Sequence, residues 1–180
     1  MTVHYYTSSS LDGFIATADH SLEWLFRQDF DQDGPMNHTT FIEGMGALVM
    51  GSSTYEWLRE AEDEWPYSHP TFVLTTRELA APPGADVRLV RGDVSDSFDA
   101  VREAAAQSDI WVVGGGDVAG QFADAGLLDE VWVQFAPVML GSGRPVLPRE
   151  IDLELVDVAR NRAFACARYR VVPSAAAAAG

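Results

Sequence analysis

Strand-like and helix-like runs alternate along most of this chain, and that alternation limits the folds open to it more than any other feature. Stretches of strand composition stand at Val3–Ser8, Ala47–Met50, Thr71–Thr75, Val87–Val90, Ile110–Val113 and Val131–Val138. Runs of helical character fill the gaps: within Pro35–Met45, from Ser53 or Thr54, across Ser97–Ala106, and over Asp117–Ala125, stopped by Gly126. Strands joined through helices run parallel, and a parallel sheet needs cover on both faces. The pattern predicts an α/β three-layer sandwich with a mainly parallel central sheet. In its last helix Val118, Phe122 and Ala125 form the face expected on the sheet, with Gln121 and Asp124 toward water. The final third changes character. Ile151–Leu155 alternates strictly, and Ala163–Val172 carries apolar side chains at Ala165, Ala167, Tyr169 and Val171, which reads as two antiparallel C-terminal strands at one sheet edge. Near the start, Asp12-Gly13 suits a turn with positive φ, where the chain doubles back to line a cleft.

A chain of 180 residues fits a single domain. We read residues 1–173 as that domain and the Ala-rich residues 174–180 as a disordered tail. The one cysteine, Cys166, lies in an alternating apolar stretch and reads as a buried small hydrophobe. A net charge of −15 repels phosphate backbones and anionic lipid, so nucleic acid and membrane are not expected partners. The apolar runs fall short of the roughly 20 residues that span a bilayer. MTVHYYTSSS has no secretory pattern, so a cytoplasmic location is expected.

The segment Ile110-Trp111-Val112-Val113-Gly114-Gly115-Gly116-Asp117-Val118-Ala119-Gly120 reads as strand, glycine turn and helix start. A helix N-terminus offers unpaired amides and the positive end of a dipole, and glycines let the backbone approach an anion such as a diphosphate. The plainer alternative is a tight connection with Asp117 as N-cap. Gly114, Gly116 and Ala119 also satisfy the G-x-G-x-x-A form of the Rossmann fingerprint. That fold wants the motif after its first strand and an acid ending the next one. Here several strands precede the motif, and Asp129 and Glu130 come before the next strand instead of after it.

Ser10-Leu11-Asp12-Gly13-Phe14-Ile15-Ala16, Val49-Met50-Gly51-Ser52-Ser53-Thr54-Tyr55, Thr75-Thr76-Arg77 and Val113–Gly120 together resemble the dihydrofolate-reductase-like family. Gly126–Val131 and Ala136–Pro145, the latter with Gly141-Ser142-Gly143-Arg144-Pro145, resemble most the C-terminal reductase domain of the bifunctional riboflavin biosynthesis deaminase/reductase. The resemblance covers nearly all of residues 2–172 and implies a dihydrofolate-reductase-like sandwich that binds NADPH. It places Ala16 on the loop over the nicotinamide, flanked by Ser8 and Ile15. It makes Gly51, Ser52, Ser53 and Thr54 a second phosphate contact, with Ser52 where many relatives carry a basic residue. Thr75, Thr76 and Arg77 end the strand where relatives meet the 2′-phosphate. Val113, Gly114, Gly115, Gly116, Asp117, Val118 and Ala119 form the diphosphate cradle.

The resemblance also sets limits. One cysteine cannot build the zinc site of the deaminase half. Val113 stands where the reductase half carries a substrate-holding glutamate. Asp29 lies at about the family's spacing from Trp24 for a proton-donating carboxylate, with Asp31 and Glu43 as further candidates, and Trp24 and Phe26 are read as substrate-pocket walls. The expectation is an NADPH-dependent reductase transferring hydride to a small heterocyclic, pteridine- or pyrimidine-like molecule. A reading of another class is a non-catalytic NADP(H)-binding sensor or sequestering module. Relatives in the riboflavin branch are commonly dimers. Val131-Trp132-Val133-Gln134-Phe135 offers a homodimer contact or, equally, part of the domain's own core.

Overall fold

The computed structural model describes residues 1–173. The tail expected at residues 174–180 lies outside them. In chain order the strands are β1 (Val3–Ser10), β2 (Phe14–Ala16), β3 (Met45–Gly51), β4 (Thr71–Leu74), β5 (Val87–Val90), β6 (Asp109–Gly114), β7 (Glu130–Ala136), β8 (Arg144–Pro145), β9 (Asp152–Asn161) and β10 (Phe164–Val172). The helices are α1 (Glu23–Phe26), α2 (His38–Ile42), α3 (Ser52–Ala61), α4 (Val94–Ala104) and α5 (Gly116–Asp124). One sheet runs β5-β4-β3-β6-β1-β7-β10-β9, and β2 pairs with β8 in a separate ribbon. Every pairing from β5 to β7 is parallel, and β10 and β9 add on antiparallel. The expected sandwich with its antiparallel C-terminal edge is therefore what forms.

The central strands are apolar on both faces because helices cover both. On one side Tyr5, Val49, Val112 and Val133 pack with Val94 and Val101 of α4 and Val118 and Phe122 of α5. On the other, Tyr6, Leu48 and Trp111 meet Phe41 of α2, and Met50 and Val73 meet Tyr55 and Leu58 of α3. Cys166 is buried there with Trp24 and Phe164, as a small hydrophobe would be, and burial raises its thiol pKa.

Of the two readings open for Val131–Phe135 the structure shows core: β7 is flanked by β1 and β10 and buries Val131 and Val133. Three details depart from expectation. On α5 the face toward the sheet is Val118, Ala119 and Phe122, while Ala125 is the exposed C-cap. Gly126 follows with φ +67°; its amide bonds the Ala123 carbonyl and the Leu127 amide bonds that of Phe122, which closes the helix end. The turn at Asp12-Gly13 forms with Gly13 at φ +86°, yet the returning β2 pairs with β8, not with β1. Finally, Leu153, Leu155 and Val158 of the edge strand β9 remain exposed. Among the described residues no helix is long and apolar enough to cross a membrane.

Candidate functional site

The carboxyl ends of β1, β3 and β6 open into a cavity of about 590 Å³. In open α/β sheets this is where ligands bind, since helices begin there and leave amides uncommitted. Thr7 and Ser8 come from β1, Gly51 from β3, and Val113 and Gly114 from β6. The first turns of α3 (Ser52, Ser53, Thr54) and α5 (Gly116, Asp117, Val118) complete its floor with Gly115. Ile15 and Ala16 of β2 lie across it, beside Arg144 and Pro145 of β8.

Both helices begin on glycine N-caps, Gly51 and Gly115, with no side chain bonded to the exposed amides. In α5 the amides of Val118 and Ala119 return to the Gly115 carbonyl at 3.0 and 3.2 Å. Those of Gly116 and Asp117 precede that bond and have no acceptor within the helix. A Cβ at Gly51 would come 3.1 Å from Val118 Cγ2, so glycine here lets the starts of α3 and α5 lie side by side. Two positive dipole ends then face one space. Gly114 has φ +141°, a conformation side-chain-bearing residues rarely adopt, and the Gly114–Gly115 peptide is cis. At Gly115 the nearest atom to an added Cβ is Ile15 Cδ1 at 3.9 Å, so bare backbone is open to the cavity. Gly116 is the reverse: a Cβ there would run into the Pro145 and Val146 carbonyls. Asp117 reaches the cavity edge but is tied to Arg149 at 3.3 Å and accepts from Gln121, which offsets its charge.

The loop into β8 is held from below. Asp12 accepts from Ser10 Oγ at 2.6 Å, from the Leu140 amide at 3.0 Å and from the Gly141 amide at 2.6 Å. The Ser10 hydroxyl first, then these amides, hold its carboxyl down at about 2.

The structure gathers Ser8, Ile15, Ala16, Gly51, Ser52, Ser53, Thr54 and Val113 to Val118 around one cavity. Other expected residues lie elsewhere. Ala119 is fully buried in the core on the helix side of the turn. Thr75, Thr76 and Arg77 do not line the cavity: the Arg77 amide donates to Thr75 Oγ1 at 3.0 Å, and its guanidinium is engaged by Glu56 of α3. Trp24 is core, 4% exposed, because the single turn of α1 directs it at β7 and β10 and directs Leu25 at the cavity. Phe26 is 67% exposed and stacks on Trp57 with ring centroids 5.9 Å apart, and Trp57 is the ring that lines the cavity. Asp29 does not reach the cavity. Its side chain is 70% exposed and 3.8 Å from Arg162, while its carbonyl takes the Ala163 amide, which seats it against the β9–β10 turn.

Sequence reasoning missed His20, Leu22, Leu25, Trp57 and Arg144. Trp57 had a signal, since it lies four positions after Ser53 on one helix face. Asp129 and Glu130, the acids that precede the apolar run of β7, sit at the far end of the sheet. There Asp129 accepts the Val3 amide and Glu130 pairs with Arg168 at 2.7 Å.

Comparison with known proteins fits this geometry. The sequence profile of the RibD C-terminal domain family matches residues 1–167. The uncharacterized protein YwjB of Bacillus subtilis (strain 168) is 29% identical over 153 residues, 83% of this chain and 86% of its own. A Shewanella sp. crystal structure assigned to riboflavin biosynthesis superposes with a TM-score of 0.83 at 24% identity, covering 96% of this chain and 100% of that one. Dihydrofolate reductase from Enterococcus faecalis, complexed with NADP(H), superposes with a TM-score of 0.59 at 16% identity, covering 96% and 97%. The fold is dihydrofolate-reductase-like, and the chain belongs to the RibD C-terminal domain family.

Proposed function

We propose that this chain is an NADPH-dependent reductase acting on a small heterocycle of pteridine or pyrimidine type. The observation that carries the reading is the convergence of two uncapped helix starts and a bare glycine turn on one cavity. Its volume, about 590 Å³, lies within the roughly 300–1,000 Å³ of small-molecule sites. The free amides of Gly116 and Asp117 and the hydroxyls of Ser52, Ser53 and Thr54 fit a diphosphate. Ser8, Ile15 and Ala16 would hold the nicotinamide end. When bound, the nicotinamide supplies hydride. The chain's part is to orient the two partners and exclude water, with Leu22, Leu25 and Trp57 as apolar walls.

Arg77 enters this proposal as the 2′-phosphate ligand, exchanging Glu56 for the phosphate with Thr75 and Thr76 beside it. A dimer also belongs to the proposal, through a surface other than β7, and sedimentation velocity at micromolar protein tests it. The placement of Asp29 away from the cavity favours one rival: an NADP(H)-binding module that senses or sequesters the cofactor without turnover.

Thermal stability followed during titration with NADPH and NADH tests cofactor binding. NADPH at about 100 times its Kd stabilises by about 2.7 kcal/mol. Ser53→Asp supplies the control. A carboxylate in the first turn of α3 favours the helix but repels a phosphate, so the variant keeps its fold and loses the NADPH shift. Equal shifts in wild type and variant defeat the placement of the cofactor. Loss of nicotinamide absorbance with pterins, pyrimidines or flavins then separates the reductase from the sensor.

A further inference from the structure

The dimer of the reading above, on which this inference rests, needs a surface, and exposed apolar side chains are concentrated in one place. Among the described residues ten large ones are exposed, and five of them, Leu153, Leu155, Val156, Val158 and Val172, lie on the β9–β10 hairpin. β9 is an edge strand of ten residues. Edge strands of that length are ordinarily guarded by lysine or proline, and β9 contains neither.

The register shows which side of the hairpin carries the apolar residues. Leu153 stands opposite Val171, Leu155 opposite Tyr169, Val158 opposite Ala167 and Arg160 opposite Ala165, so these eight share one side of the sheet. Val171 there packs against the core shared with α4 and α5, but the cover ends at that point: Leu155 and Val158 stay 56% and 64% exposed. The other side is committed within the chain. Phe164 and Cys166 are buried, Arg168 pairs with Glu130 and Arg170 pairs with Glu154. At the turn end Val158, Arg160, Ala163 and Ala165 line a shallow hollow.

Charge points to the occupant. Residues 152–172 hold three acids (Asp152, Glu154, Asp157) and four arginines (Arg160, Arg162, Arg168, Arg170), a net +1 on a chain of −15. Two copies therefore repel each other over the rest of their surfaces but not here. The charges are also ordered along β9, with Asp152 and Glu154 at its start and Arg160 and Arg162 at and just beyond its end. A two-fold axis that sets two β9 strands antiparallel carries the arginine end of each to the acidic end of the other, whereas parallel strands would set like on like. The same placement brings Leu153 and Leu155 of one copy over the hollow of the other.

We propose that the side of the hairpin carrying Leu153, Leu155 and Val158 is covered by the same side of a second copy of this chain, with the two β9 strands antiparallel and each Arg160 at the Asp152 end of the other copy. Burial of the apolar side chains supplies the attraction, and the charged ends fix the direction.

Sedimentation velocity of the full chain tests this. Wild type at about 20 μM sediments as a dimer. Leu155→Glu and Val158→Glu, each at an exposed position, keep the circular dichroism of wild type and weaken the dimer at least about ten-fold, because each puts a carboxylate inside the contact. Met139→Glu, at an exposed apolar side chain off the hairpin, leaves the dimer intact. Arg160→Asp also weakens it, and adding Asp152→Arg restores it, since the exchange reinstates opposite charges only across an antiparallel contact. A wild type that stays monomeric to about 100 μM overturns both the dimer and its surface. A dimer that survives both glutamates, or one that falls to Met139→Glu, overturns the surface alone. An exchange that fails to restore the dimer overturns the antiparallel placement. The NADPH thermal shift, measured on the same variants, reports separately on the cofactor site, so its loss in wild type strikes the reductase reading and not the surface.

Discussion

Gly114 holds a backbone conformation, φ +141°, that a side chain resists, and it does so where β6 hands over to α5. Gly114→Ala is expected to cost about 1–3 kcal/mol in urea denaturation. Gly116→Val should be worse for a different reason, since its side chain would strike the Pro145 and Val146 carbonyls. That variant reports on folding, not on ligand. Asp12 makes a pH prediction. Its carboxyl is held near 2, below its ordinary 3.8, so it stabilises the fold above about pH 3.8 and loses that effect as pH falls toward 2. Thermal melts across this range should show a decline that is smaller in Asp12→Ala, the remainder coming from Asp19, Asp86 and Glu130, whose carboxyls are also held below their ordinary values. Glu56→Gln, by freeing Arg77, should tighten NADPH a few-fold, roughly the worth of an exposed ion pair, and leave NADH unchanged in fluorescence titrations. At this scale glycines and hydroxyls were legible in the sequence because a turn between strand and helix admits few alternatives. Asp29 and Trp24 were not. Spacing within a one-turn helix cannot tell which residue faces the cavity, and Leu25 faces it in place of Trp24, while Asp29, beyond the end of α1, is held at the β9–β10 turn by the Ala163 amide.

Among the elements, α2 has only five residues, too few to stand on intrinsic propensity. It persists because Asn37 caps it, accepting the Thr40 amide at 2.8 Å and donating to the Gly34 carbonyl at 2.7 Å, and because Phe41 stacks on Tyr6. Asn37→Ala should lower stability by about 1 kcal/mol in urea denaturation. The inner strands β3, β4 and β6 were legible because burial on both faces writes them as largely apolar runs, and the edge strand β5, interrupted by Arg88, still falls where the sequence puts it. The ribbon of β2 and β8 was not, since three residues and two residues carry no period. In β9 the alternation is read out faithfully only as far as a register shift between Arg168 and Tyr169 on its partner, where the pairing skips Val156. The skip keeps Leu153, Leu155 and Val158 on one side, a regularity invisible to a strict period of two.

For the molecule as a whole, strand order was not readable from composition or period; only the likeness to a known family implied it. The charge of −15 was readable, and it sets a long-range field that opposes an anionic cofactor while the helix starts attract it locally. Raising salt from about 0.01 M to 0.15 M shortens the screening length from roughly 30 to 8 Å. NADPH association measured by stopped flow should then quicken, opposite to the behaviour of a cationic binding protein. The sheet order has one more consequence. β1 is synthesised early yet lies between β6 and β7, with Tyr5 opposite Val112 on one side and Val131 on the other. A nascent chain on the ribosome thus carries a central strand, fully buried at Tyr5 in the finished fold, with both edges bare until about a hundred further residues have emerged. During that interval it is a natural client for holding chaperones.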